Sequence, residues 1–234
     1  MNIKILLLSF LTFAFATNII SQETKEIKVP AFSQVKFEGA AHWVLIPSDN
    51  ERVEIETNNA EIFNYVEIEN NGNLLIIYTV DKSKDITKLF RYVTIRVYFK
   101  SINNIKLSGV GSVLMKESNS VPEVTATLRG TGSMTLAVDC DDFYSNMFGT
   151  GSMEVSGIAK KSLVRVEGVG GFHGSKLKTQ DTDVTVSGVG SAMVNASRNL
   201  TATINGVGSI RYTGNPGNKN FNSNGLGSIR EMNE

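Results

Sequence analysis

Ser108-Gly109-Val110-Gly111-Ser112 is the first of a series. The pattern returns as Arg129-Gly130-Thr131-Gly132-Ser133, Phe148-Gly149-Thr150-Gly151-Ser152, Glu167-Gly168-Val169-Gly170-Gly171, Ser187-Gly188-Val189-Gly190-Ser191, Asn205-Gly206-Val207-Gly208-Ser209 and Asn224-Gly225-Leu226-Gly227-Ser228. Successive first glycines are 21, 19, 19, 20, 18 and 19 residues apart. A period this short and regular is the signature of a repeat architecture, in which each unit buries its apolar face against its neighbours. Most of the chain is therefore scaffold.

The residues flanking each motif alternate. Four and two positions before the first glycine stand Ile105/Leu107, Ala126/Leu128, Ser145/Met147, Val164/Val166, Val184/Val186, Ala202/Ile204 and Phe221/Ser223, of which 12 of 14 are apolar. The position between them is polar in every copy: Lys106, Thr127, Asn146, Arg165, Thr185, Thr203 and Asn222. Four residues after the first glycine come Val113, Met134, Met153, Phe172, Ala192, Ile210 and Ile229, all apolar. Each repeat thus reads as strand, Gly-x-Gly corner, strand, with one face buried.

The residue between the glycines is expected to point inward at the bend, and the glycines to supply positive φ and close backbone approach. A coil of about 19 residues has room for three short strands. The expected fold is all-β, a right-handed parallel β-helix or β-solenoid, its seven motifs spanning about 29 Å at about 4.8 Å per coil. The rival layout is an antiparallel meander with each Gly-x-Gly at a hairpin tip, but such tips favour two-residue Asn-Gly or Asp-Gly turns.

Nineteen of the 21 glycines lie at or after Gly109, which divides the chain near residue 106. Residues 1–22 read as a signal peptide, with Lys4 ahead of an apolar run from Ile5 to Ala16 that is too short to span a bilayer. Residues 23–106 form an N-terminal β region continuous with the solenoid, and residues 107–234 the repeats. Within the first region, Val35/Phe37, Trp43/Leu45, Val53/Ile55, Val66/Ile68 and Val93 to Phe99 alternate as strands. Asn71-Gly72 signals a type I′ hairpin between Val66–Asn70 and Leu74–Tyr78, and Asp81 to Arg91 reads as a loop or a single helical turn.

Basic and acidic residues balance at 23 each, and loss of Lys4 with the signal leaves a net charge near −1. That balance argues against a nucleic-acid or anionic-membrane partner. Cys140 is the only cysteine, so no internal disulfide forms and no lipid-bearing cysteine follows the signal.

The exported N-terminus, Phe37-Glu38-Gly39 ahead of a strand, the Val93 to Phe99 strand leading into Ile105-Lys106-Leu107-Ser108-Gly109, and the Ser/Asn-Gly-x-Gly-Ser corners carry a resemblance. The chain resembles the bacterial family described as "putative auto-transporter adhesin, head GIN domain" over roughly residues 30–228. The resemblance implies a β-helical surface or periplasmic protein of Bacteroidetes-type bacteria, with adhesion as the inferred role. It implies no catalytic residue.

Chemistry-bearing groups are sparse. The Gly-x-Gly-Ser corners lack a P-loop lysine, and no copy completes Gly-x-Gly-x-x-Gly before a helix, so a phosphate cradle is not expected. Calcium ladders need Asp where these repeats carry Ser. His42 and His173 are the only histidines. With Cys140 they form neither a metal set nor a triad. Asp139, Asp141 and Asp142 surround Cys140 in what reads as a solvated turn. As a cluster they would suit a β-helical polysaccharide-cleaving enzyme, but consecutive acids on a strand alternate faces. Trp43, Tyr92, Phe143 and Tyr144 are the candidate glycan-stacking aromatics, although Phe143 falls on the inward parity and Trp43 suits a core cap.

No catalytic, cofactor-binding or metal residue is expected, no cofactor is implied, and the ligand-binding residues are unknown from sequence. The expected role is a non-enzymatic interaction module in the periplasm, on the outer-membrane surface or outside the cell, binding glycan or protein through polar ladders. The column from Lys106 to Asn222 is the first candidate interface. A carbohydrate-active enzyme and an end-to-end stacking element are the alternatives. Stacking would use an edge near Ile229 to Glu234, where charges oppose it.

Overall fold

The computed structural model describes residues 22–79, 93–118 and 120–232. The signal segment, the Asp81 to Arg91 stretch and Tyr92 lie outside the described residues.

The chain forms a β-solenoid of about six turns. Its spine is a parallel ladder. Strand β2 (Gln34–Pro47) pairs with β7 (Asn104–Met115), and β7 with β8 (Ser120–Met147). The ladder continues through β9 (Thr150–Val166) and β10 (Val169–Val186). Beyond β10 each coil is two pieces: β11 (Val189–Asn195), β13 (Val207–Thr213) and β15 (Leu226–Glu231) extend one face. On the other, β12 (Asn199–Ile204) and β14 (Asn218–Ser223) continue it. At Gly109–Gly111 and Gly130–Gly132 the strand runs straight through the corner, so β8 is unbroken through 28 residues, whereas at each later corner it breaks for two residues, before Thr150, Val169, Val189, Val207 and Leu226. The meander is thereby excluded for the repeats, because every neighbouring pair from β2 through β15 on this spine is parallel.

Antiparallel pairing occurs at one end only, among the described residues. There β1 (Glu23–Lys28) pairs with β3 (Arg52–Thr57), and β3 with β6 (Thr94–Phe99). Beside them β4 (Val66–Asn71) pairs with β5 (Leu74–Thr79). Both β5 and β6 lie parallel to β2, opposite β7, so the earliest complete coil sits inside the stack with a cap beyond it. Ion pairs knit the cap, as Arg96 contacts both Glu54 and Glu56, and Arg52 lies over the Tyr98 ring at 3.5 Å. The hairpin joining β4 and β5 turns on Gly72 and Asn73 and not on Asn71-Gly72. Only Gly72 has positive φ, +69°, which fits glycine at the first central position of a type II′ turn.

The core is a column of inward side chains running the length of the stack. Val164, Val184, Ala202 and their equivalents are fully buried, as are Met153, Phe172, Ala192 and Ile210. Ser145, polar on an inward position, gives its hydroxyl to Met153 Sδ at 3.2 Å. Trp43 is fully buried and stacks on Phe37 with ring centroids 5.1 Å apart. In the coil of β14 and β15 the inward positions open, and Phe221 is 41 % exposed.

The Gly-x-Gly corners differ from expectation in two respects: the residue between the glycines points outward, and of the motif glycines only Gly111, Gly130 and Gly151 have positive φ. Val110, Val169, Val189, Val207 and Leu226 are 45 to 78 % exposed. The reason is that the two-residue alternation runs straight through the bend. Positions four and two before the first glycine face inward, so both glycines inherit inward parity and the residue between them faces solvent. Glycine is required there by close approach. A Cβ on Gly109, Gly130, Gly149, Gly168, Gly188, Gly206 or Gly225 would lie closer than 3.0 Å to the carbonyl oxygen of the corner one coil back. That oxygen is already engaged, since Val169 donates its N–H to Gly149 and Val207 to Gly188, each at 3.0 Å.

Candidate functional site

Parallel in-register stacking turns each sequence column into a physical ladder with about 4.8 Å between steps. On the face formed by the strand before each corner, three outward ladders stand side by side. The column from Lys106 through Thr127, Asn146, Arg165, Thr185 and Thr203 to Asn222 is in register throughout. Beside it run Tyr144, Leu163, Asp183, Thr201 and Asn220, and then Asp142, Lys161, Asp181, Asn199 and Asn218. The last two ladders were not singled out from the sequence, although counting columns five and seven residues before each glycine would have found them.

These two ladders line a groove of about 300 Å³, from Asp142 and Tyr144 across Lys161, Leu163, Asp181 and Asp183 to Asn199 and Thr201. One of its walls is tied in place. Arg198 donates from Nε and Nη2 to the two carboxylate oxygens of Asp181, and Asn199 Nδ2 donates to Asp181 Oδ1 at 2.7 Å. The Arg198 hydrogen bond, helped by Asn199, holds the Asp181 carboxyl below its usual range. The amide ladder extends the anchoring, as Asn218 Nδ2 reaches Asn199 Oδ1 at 2.8 Å. Asp183, by contrast, is exposed and makes no hydrogen bond or ion pair with another described residue. The groove therefore presents an aromatic side chain, an unpaired carboxylate, a hydroxyl and an amide in a row.

Of the predicted aromatics among the described residues, Trp43 and Phe143 are buried in the core, and Tyr144 is half-buried on the outer face. The acids around Cys140 stand on a continuous strand and not in a loop: Asp139 and Asp141 are exposed, Cys140 is buried, and Asp141 pairs with Lys160 at 2.7 Å. Burial first, and then Asp139, Asp142 and Asp141, push the Cys140 thiol up to about 12. It is a packing group, since reactivity belongs to the thiolate.

The histidines lie apart on the following face. His42 Nδ1 meets Ser112 Oγ at 2.8 Å on the surface. The His173 ring occupies the space above Gly171, the one corner where the following serine is missing. Among the described residues no group of three or more His, Cys, Asp or Glu side chains is placed to hold a metal ion.

The corner ridge is the second surface with a distinct character. Val110, Thr131, Thr150, Val169, Val189, Val207 and Leu226 stack in register along it, and Phe148 adds an exposed ring over which the Arg129 guanidinium lies at 4.3 Å. No described helix is long and apolar enough to cross a membrane.

Fold and surface together define a parallel β-solenoid repeat protein with in-register ladders of outward side chains. Residues 31–216 match the family "Putative auto-transporter adhesin, head GIN domain", and the chain belongs to that family. Similar folds are found in a putative adhesin from Bacteroides fragilis, 22 % identical with a TM-score of 0.83. A putative lipid binding protein from Parabacteroides distasonis, 22 % identical, has a TM-score of 0.70. A putative adhesin from the same species, 21 % identical, has a TM-score of 0.67. In each case the alignment covers 91 % of this chain and 97 % of the other. No protein of curated function matches the chain.

Proposed function

We propose that this chain is an exported, non-enzymatic binding module that attaches to a glycan or protein surface through the polar face formed by the strands before the corners. The observation that carries this reading is the register of three outward, mostly polar ladders on one face. Membership of an adhesin-described family supports it. Repetition at a fixed spacing suits a repetitive ligand, because each further contact forms at high effective concentration once the first is made. In this reading residues 1–22 direct export and are removed, and residues 23–106 and 107–234 act as one body in the periplasm or on the cell surface.

Catalysis is not part of the proposal. The acids of the polar face stand in ladders, and Asp181, the most constrained of them, is held ionised by Arg198. A general acid would need the opposite shift. The protein incubated with a panel of polysaccharides is expected to release no new reducing ends and no unsaturated products; either product would assign it to the enzymes.

The apolar corner ridge supports a second reading, attachment to an apolar or lipid partner, since a contiguous exposed apolar strip commonly marks a contact surface. The Parabacteroides protein described as lipid binding shares the fold. The two readings separate experimentally, because polar face and ridge can be altered independently. Replacing Arg165, Thr185 and Thr203 together by Ala is expected to reduce retention on glycan-coated or cell surfaces by at least about tenfold. Unchanged retention would remove this column as the interface.

A further inference from the structure

We infer that the groove bounded by Tyr144, Leu163, Asp183 and Thr201 is a subsite for a neutral oligosaccharide. The inference rests on the reading of the polar face as a binding surface and narrows it to one place and one ligand class.

The shape of the groove suits an extended ligand. Tyr144, Leu163, Asp183 and Thr201 occupy four successive coils in register. Three ladder steps cover about 14 Å, so the groove is elongated along the solenoid axis. Its volume of about 300 Å³ lies at the small end of the range typical of ligand sites, about 300–1,000 Å³. An extended chain of a few sugar rings fits an elongated open groove; a compact cofactor does not.

Chemistry is ordered along the groove. Tyr144 and Leu163 give an apolar stretch at one end, suited to the C–H faces of a pyranose ring. Asp183 and Thr201 follow at the other end and offer acceptor and donor atoms to sugar hydroxyls. Asp183 is available for this because no described residue pairs with it. The neighbouring Asp181 is not, being held by Arg198 and Asn199, and that anchoring fixes the wall beside which Asp183 projects.

The charge of the groove bears on its ligand. Asp142, Asp181 and Asp183 outnumber Lys161 among the lining residues, and Arg198 is committed to Asp181. With Arg165 of the adjoining ladder counted, the uncommitted charges balance, so an acidic polysaccharide gains no net attraction there, whereas a neutral glycan gains charge-assisted hydrogen bonds from an unpaired carboxylate. A basic peptide would also satisfy the charge, but the Tyr144–Leu163 end and the Thr201 hydroxyl give it nothing specific.

The test is calorimetric titration of the full chain with cellotetraose, maltotetraose, laminaritetraose, mannotetraose, a galacturonate tetramer and tetra-arginine, on wild type and on Tyr144→Ala, Tyr144→Phe and Asp183→Asn. Asp183→Asn keeps the shape of an exposed side chain, and Tyr144→Phe keeps the ring, so one of these remains informative if Tyr144→Ala is poorly folded. Binding of at least one neutral tetrasaccharide is expected. It should weaken about tenfold or more in Tyr144→Ala and Asp183→Asn, and change little in Tyr144→Phe. Preference for the galacturonate tetramer or for tetra-arginine overturns the inference. If the chain still adheres to glycan-coated surfaces and neither Tyr144→Ala nor Asp183→Asn alters that adhesion, the groove inference fails while the broader reading stands. If the chain adheres to nothing and binds no oligosaccharide, both fail.

Discussion

Gly168 shows why the corners are glycine. Its backbone lies against the Gly149 carbonyl of the coil before, which accepts a hydrogen bond from Val169, so the space a Cβ needs is taken by an atom that cannot withdraw without breaking the ladder. Gly168→Ala is therefore expected to destabilise the protein by about 3 kcal/mol or more, whereas Val169→Ala, one residue away and 55 % exposed, should cost no more than about 0.5 kcal/mol. Denaturant titration of the two variants checks this, and equal effects would contradict it. The same pair of residues marks what sequence could and could not yield. Glycine at the bend, and close approach as one of its reasons, followed from the pattern alone. The outward turn of Val169 did not, because a large residue between two bare glycines suggests an inward position at a bend. Positions 164, 166, 168 and 170 share one parity, and carrying that count through the corner would have placed Val169 in solvent.

The strands differ in how fully they are covered. Among the described residues strand β9 is paired along both edges, by β8 and by β10, whereas β14 pairs only with β12 and β15 only with β13. Phe221 in β14 rests on the Tyr212 ring at 5.5 Å, and Lys219 pairs with Glu231 at 3.5 Å, so a mixed aromatic and charged set stands at this open end. Inward-facing charge at an edge opposes the pairing of a further strand, which weakens the case for end-to-end stacking. Local opening should follow the same order as coverage. Amide hydrogen exchange is expected to be faster across 218–231 than across 150–166, by at least about tenfold; equal protection would show that the solenoid opens only as one unit. At this scale the strands themselves were readable from two-residue alternation. The exchange of neighbours near the cap was not: β5 and β6 lie on one side of β2 while β7 takes the other, and no local periodicity encodes which strands meet across such a separation. The groove was hidden for a related reason. Tyr144 and Asp183 are 39 residues apart in the chain and come to share one groove only when the coils stack, with Leu163 on the single step between them.

For the whole molecule, the solenoid separates two surfaces by one corner. The polar face holds anchored and unanchored side chains in register, and the ridge holds Val, Thr and Leu. Because core and corners are satisfied within the stack, either surface can be altered with little cost to folding, and binding can be assigned to one of them by exchange of outward residues alone. The direct measurement is surface retention of three forms of the protein on glycan-coated supports and on whole cells: wild type, the polar-face variant Arg165→Ala/Thr185→Ala/Thr203→Ala, and the ridge variant Val169→Ser/Val189→Ser/Val207→Ser. The polar-face variant is expected to lose retention by about tenfold or more while the ridge variant holds within about twofold of wild type. Loss in the ridge variant with full retention by the polar-face variant would contradict this expectation.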